Sequence, residues 1–221
     1  MRKRWFYKGY HIVIISQLEY LSQYIKTMEK LLKSEYEKFD YILDEKIKNL
    51  ENEEEKEFLC DKYLEDFWHL KDVFPNILRT SFFVKCYSIL ETELNNVCKL
   101  LQKQNGYRLS VSDLKGNGIE RAQLYCKKVV CIDFPDKSKA WQEIKNYNIL
   151  RNIIVHREGL VLGYQDKYLD KLNKYIKKTP GIFIEDGSIH IETIFIMNVI
   201  NNIKIFFNDF FESLEKNNIE Y

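Results

Sequence analysis

Glycine and proline are scarce, with 8 and 3 among 221 residues. Those residues punctuate turns and breaks, so an architecture of many short strands is excluded and long helices are expected. No apolar run reaches the roughly 18 residues that a membrane span needs; Ile12 to Ile15 is cut off by Ser16, Gln17 and Glu19. The basic, aromatic start, Met1 to His11, lacks an apolar signal core followed by a small-residue cleavage site, which leads to the expectation of a cytoplasmic protein with no membrane partner. The five cysteines, Cys60, Cys86, Cys98, Cys126 and Cys131, are odd in number and form no C-x-x-C pair. Neither a disulfide framework nor a zinc ribbon is implied, and buried free thiols are expected. A strong charge of one sign is also missing: the net charge of +1 excludes a uniformly basic coat for nucleic acid, although it would hide a local patch. Residues 1 to 75 carry 13 Lys or Arg against 16 Asp or Glu, so any attractive surface for RNA is expected in the remainder. There is no Walker loop, dinucleotide glycine set or nucleophile elbow. His11, His69 and His190 have no ligand-spaced neighbours and read as ordinary surface or core histidines. No metal and no cofactor is expected.

What the chain does have is apolar and aromatic mass, 45% hydrophobic with 14 Phe and 15 Tyr, arranged at helical spacing. Ile14, Leu18, Leu21, Ile25, Met28, Leu32, Phe39, Ile42 and Ile47 predict one long helix from His11 to about Lys48, with a break near Ser34 left open. The acidic run Glu51 to Glu57 suits the first turn of the next helix, whose dipole favours carboxylates there. That helix is predicted to end before Pro75, which disfavours helical geometry at Phe74. A third helix, Asn76 to Gln104, carries the stripe Phe82, Cys86, Tyr87, Leu90, Leu94, Val97 and Leu101. After a loop, 108 to 118, in which Ser112 or Asn117 offers a cap, come a short helix, Ile119 to Val130, and another from Ser138 to Arg157 closed by Gly159. A further helical pattern covers Tyr164 to Lys178, a hairpin turns at Asp186-Gly187 within residues 182 to 191, and a last helix spans Thr193 to Lys216. The expected fold class is all-α. A helical N-terminal extension, 1 to 75, packs on a helical domain, 76 to 221, that carries the small β-hairpin.

The helix 138 to 157 ends in Ile149-Leu150-Arg151-Asn152-Ile153-Ile154-Val155-His156-Arg157-Glu158-Gly159. With the 7 Arg and 4 His of this chain, an Arg and a His at that spacing arise by chance in roughly 0.13 of such compositions, and requiring Asn after the Arg lowers this to roughly 0.01. The segment resembles the Arg-x4-6-His motif of the HEPN superfamily, in which a polar residue, often Asn, follows the Arg. Similarity covers about residues 79 to 159 and hardly touches 1 to 75. The resemblance implies a HEPN-like helical bundle and a symmetric dimer whose two motifs meet across one cleft. It also implies metal-independent cleavage of RNA in a toxin or phage-defence setting, with an antitoxin or other defence-system protein as a partner. In one HEPN subset, silenced by nucleotidylation, a Tyr stands two residues after the His; here that position is Glu158.

At 100° per residue Asn152 and His156 share a face with Lys145 and Asn148, while Leu150, Ile153 and Ile154 point the other way. Arg151 stands about 140° from His156, so a single helix makes a poor composite site and a second copy improves it. Histidine suits acid and base work on RNA because its unperturbed pKa is near 6.5, and Arg151 suits the phosphate because its fork is permanently charged. Asn152 is placed either to orient His156 or to bind phosphate. Glu91 is either a partner that steadies Arg151 or a plain half-exposed helix acid. Two rival readings stand beside the ribonuclease: dipole-compatible surface residues at a helix C-terminus, and a catalytically inactive HEPN dimer that binds RNA or a nucleotide or regulates a partner. The opening Arg2-Lys3-Arg4-Trp5-Phe6-Tyr7-Lys8 reads either as a single-strand binder or as a tail docked on the fold.

Overall fold

The computed structural model describes residues 2–161 and 167–216, with the side chains of 2–8 and 167–169 outside that description. Helices dominate. They are α1 (Arg2–Lys48), α2 (Glu53–Trp68), α3 (Phe74–Asn105), α4 (Gly118–Tyr125), α5 (Lys139–Arg157), α6 (Lys167–Ile176) and α7 (Thr193–Lys216), with one antiparallel pair, β1 (Ile182–Glu185) and β2 (Ser188–Ile191). The fold is therefore all-α with a small hairpin. Among the described residues no helix is long and apolar enough to cross a membrane.

Three helices, α3, α5 and α7, surround the core and α1 packs along α3 and α7. Aromatic side chains hold α5 in place. Trp141 meets Phe134 edge-on at 4.8 Å and Phe206 of α7 at 5.1 Å, and Tyr147 meets Phe83 of α3 at 6.1 Å and Phe195 of α7 at 5.9 Å. Such pairs add roughly 0.5–1.5 kcal/mol each beyond the area they bury. The buried Tyr147 hydroxyl is satisfied by Asn202, whose Nδ2 donates to it at 2.7 Å. From α1, Ile14, Leu18 and Ile25 enter the same core, and Arg79 of α3 grips Glu29 of α1 with two bonds of 2.7 and 2.9 Å.

Several boundaries differ from those predicted. The first helix begins at Arg2 and runs unbroken past Ser34 to Lys48. Nothing between Gly9 and Leu50 removes a backbone donor, and α2 supports the distal half through Tyr36 against Phe67 and Phe39 against Tyr63. The acidic run does open α2, capped by Asn52, whose side chain accepts from the Glu54 N–H. Pro75 does not end helical geometry. A π turn, His69–Val73, joins α2 to α3; Phe74 remains right-handed helical, and its N–H reaches back to the His69 carbonyl. The wider turn makes room for the proline ring, and in the first turn of α3 its missing N–H costs little. In the following loop it is Ser110, with Asp113, that forms a capping box, whereas Ser112 bonds to Ser110 and Asn117 precedes α4 without a side-chain cap. The helix predicted for Ile119 to Val130 finishes as a second π turn, Cys126–Val130. The start of the pattern assigned to Tyr164 to Lys178 lies outside the described residues; α6 occupies its middle. The hairpin has the expected turn, Asp186 and Gly187 both having positive φ as a type I′ turn requires. Of the five thiols, Cys86, Cys98 and Cys126 are buried, but Cys60 and Cys131 are exposed; Cys60 lies on α2, which buries no side chain at all, and Cys131 is the left-handed residue that closes the second π turn.

Replacing Trp141 with Ala removes the ring wedged between Phe134 and Phe206 and is expected to destabilise the protein by about 3–5 kcal/mol. Ile42→Ser, on an exposed face of α1, should stay within about 0.5 kcal/mol. Urea unfolding followed by far-UV circular dichroism checks both.

Candidate functional site

The polar strip of α5 is aimed by what the helix buries and how its ends are fixed. Ser138 caps the start, its hydroxyl accepting the Trp141 N–H at 3.2 Å. Ala140, Trp141, Ile144, Tyr147, Leu150 and Ile153 turn inward. At the other end the left-handed residue that closes the helix is Glu158, one position before the expected Gly159. The hairpin then pins the exit: Val161 N–H donates to Gly187 at 2.9 Å and Ile189 N–H to Gly159 at 3.0 Å. With the buried face and both ends fixed, the opposite face has one orientation.

That face forms one wall of a groove of 420 Å³ in which Lys145, Asn148, Asn152 and His156 succeed one another along α5. From Lys145 to His156 the strip runs about 16 Å at 1.5 Å per residue. Glu120 of α4, Arg157, and Lys171 of α6 complete its polar lining. Among the described residues the lining is thus rich in cations and includes one carboxylate. Glu120 lies in the first turn of α4, where the helix dipole favours an acid.

Arg151 is at the margin of this groove, as its angle from His156 predicts. Its guanidinium lies over the Tyr87 ring, 5.5 Å from the centroid, with Nη2 3.6 Å from Glu91 Oε2 and Nη1 donating to Asn152 Oδ1 at 2.9 Å. Glu91 is therefore paired with Arg151. Gly118, at positive φ, lies against the same carboxylate: a Cβ there would be 3.1 Å from Glu91 Oε1. Asn152 directs its carbonyl to Arg151 and not to His156. Tyr87 donates its hydroxyl to Asn148 Oδ1 at 2.9 Å. Burial and then the charge of Glu91 push its pKa well above the ordinary phenol range, so it remains a donor at neutral pH. His156 itself is exposed.

All six residues singled out in the sequence thus meet around one stretch of α5, four in the groove and Arg151 with Glu91 at its edge. The other histidines lie outside this groove and each stacks on a Phe ring: His11 on Phe211 at 4.5 Å, His69 on Phe74 at 5.6 Å and His190 on Phe183 at 5.4 Å. Among the described residues no three His, Cys, Asp or Glu side chains converge as metal ligands. The side chains of Arg2 to Lys8 lie outside the described residues. Sequence reasoning missed Tyr87 as a support, although a Tyr in a core stripe must find a partner for its hydroxyl. It also missed Lys171, for which no local signal exists because only the docking of α6 brings it to the groove.

A larger hollow, 640 Å³, lies beyond the C-terminal end of α5 between the π turn and the hairpin. Asp72, Glu158, Glu185 and Asp186 line it, so an anionic ligand is repelled there and favours the cationic groove. Compared with protein-family models, curated proteins and solved structures, the chain matches none. The site is consequently argued from its own geometry.

Tyr87→Phe keeps the ring under Arg151 but leaves Asn148 without its donor. A loss of about 0.5–1.5 kcal/mol of stability with retained helicity is expected, measured by urea unfolding.

Proposed function

We propose that the chain is a HEPN-type endoribonuclease that cleaves RNA without a metal, through a symmetric dimer that apposes two α5 helices. The observation that carries this reading is the alignment of Lys145, Asn148, Asn152 and His156 along one cation-rich groove, with Arg151 held at its edge by Tyr87 and Glu91. His156 is exposed in the last turn of α5, so a partner copy against this region can reach it. A two-fold axis there brings both His156 residues to one cleft. It also lets Arg151 of one copy complement His156 of the other.

In that cleft the RNA's own 2′-hydroxyl is the nucleophile. One His156 takes its proton as the oxygen attacks phosphorus, the bond from phosphorus to the 5′-oxygen breaks, and the second His156 protonates the leaving oxygen. Arg151 stabilises the charge that builds on the phosphoryl oxygens. The setting is a toxin or phage-defence system, with an antitoxin or other defence-system protein as the natural partner. A second reading has its own observation: Arg151 is already engaged by Glu91 and Asn152, as suits a module that binds RNA or a nucleotide without cutting it.

Incubating single-stranded RNA with the protein in EDTA separates the two. Cleavage by the wild type is expected, with none by His156→Ala, whose stability should lie within about 0.5 kcal/mol of wild type because the site is exposed. Arg151→Lys should cut roughly 10²-fold more slowly, the scale of losing one well-aimed transition-state donor. Wild-type rates in His156→Ala would overturn the catalytic assignment, and tight binding without cleavage would favour the module.

A further inference from the structure

We propose that Lys171 and Arg157 form a phosphate-holding wall that grips the RNA strand beside the scissile phosphate; this rests on the ribonuclease reading above. Lys171 comes from α6, outside the motif-bearing helix, yet it lines the same groove as Asn152 and His156. Its placement is built. One turn further along the same face of α6, Tyr175 donates its hydroxyl to Glu143 of α5 at 2.9 Å, and Leu172 and Ile176 are buried in the core. Residues four apart on a helix share a face, so the contact that fastens Tyr175 to α5 also turns Lys171 toward it. Arg157 joins it from the last turn of α5.

Two cations lining the groove beside the acid–base residue suit the phosphates of one strand, because a phosphodiester chain carries a charge at every nucleotide. The hollow beyond the end of α5, with its four carboxylates, repels that chain and so disfavours a path across the hairpin. Lys171 and Arg157 set where the strand lies, and His156 acts on the phosphate thereby brought to it.

The test uses the full-length protein and a fluorescein-labelled 2′-O-methyl single strand, which cannot attack itself, with anisotropy read over a series of salt concentrations. Each lost phosphate contact lowers the slope of log K against log salt by about 0.7 for a single strand, or roughly 5-fold in affinity near 0.1 M salt. Lys171→Ala and Arg157→Ala should each show that loss. Lys177→Ala, exposed beyond the end of α6, should match wild type. Tight wild-type binding with unchanged slopes in both groove variants would overturn this assignment while leaving the ribonuclease reading standing. A wild-type protein that binds no strand at low salt would overturn both.

Discussion

The arrangement depends on the aromatic clamp that holds α5 between α3 and α7. Tyr147 packs edge-on against Phe83 and Phe195, and Trp141 is enclosed by Phe134 and Phe206. Large rings packed against both neighbouring helices leave a helix little freedom to rotate about its axis. Once those rings are seated, Lys145, Asn148, Asn152 and His156 have only one direction in which to face. The polar strip is therefore a consequence of core packing, and its precision is inherited from residues that never touch a ligand.

Charge is divided along the same axis. Cations gather on the α4–α6 side of α5, and carboxylates gather beyond its C-terminal end, in the hollow bordered by the hairpin. The net charge of +1 conceals this separation because a total carries no information about where the charges lie. Arg151 lies on a third side, toward α3, where Tyr87 and Glu91 restrain it. A half-exposed pair such as Arg151 with Glu91, each side chain 30% exposed, contributes at most about 1 kcal/mol to stability. Its importance lies in orientation: the guanidinium is held in place over the Tyr87 ring.

How much of this was legible in the sequence depended on the range of the interactions. The stripe on α3 and the helical span that begins at Thr193 could be read because the helical period is local and strong. The hairpin could be read because Asp186-Gly187 selects its own turn. Pro75 misled because the residue's local preference was met by a π turn, a remedy that does not show in the pattern of apolar positions. Cys60 and Cys131 misled because burial is a property of packing and not of residue type. At the site, the common face of Lys145, Asn148, Asn152 and His156 followed from angular spacing alone. The partnership of Arg151 with Tyr87 joined two segments 64 positions apart in sequence, and Lys171 depended on how a separate helix docks. Long-range contacts of that kind leave no periodic trace.

The central claim is chemical: the attacking oxygen belongs to the RNA. Mass spectrometry of the fragments, made from a substrate and from its counterpart with a single 2′-deoxy nucleotide at the cut position, tests it most directly. The account predicts 2′,3′-cyclic phosphate and 5′-hydroxyl ends from the first and an intact second strand. Fragments ending in 3′-hydroxyl and 5′-phosphate, or equal cleavage of the deoxy-substituted strand, would contradict it.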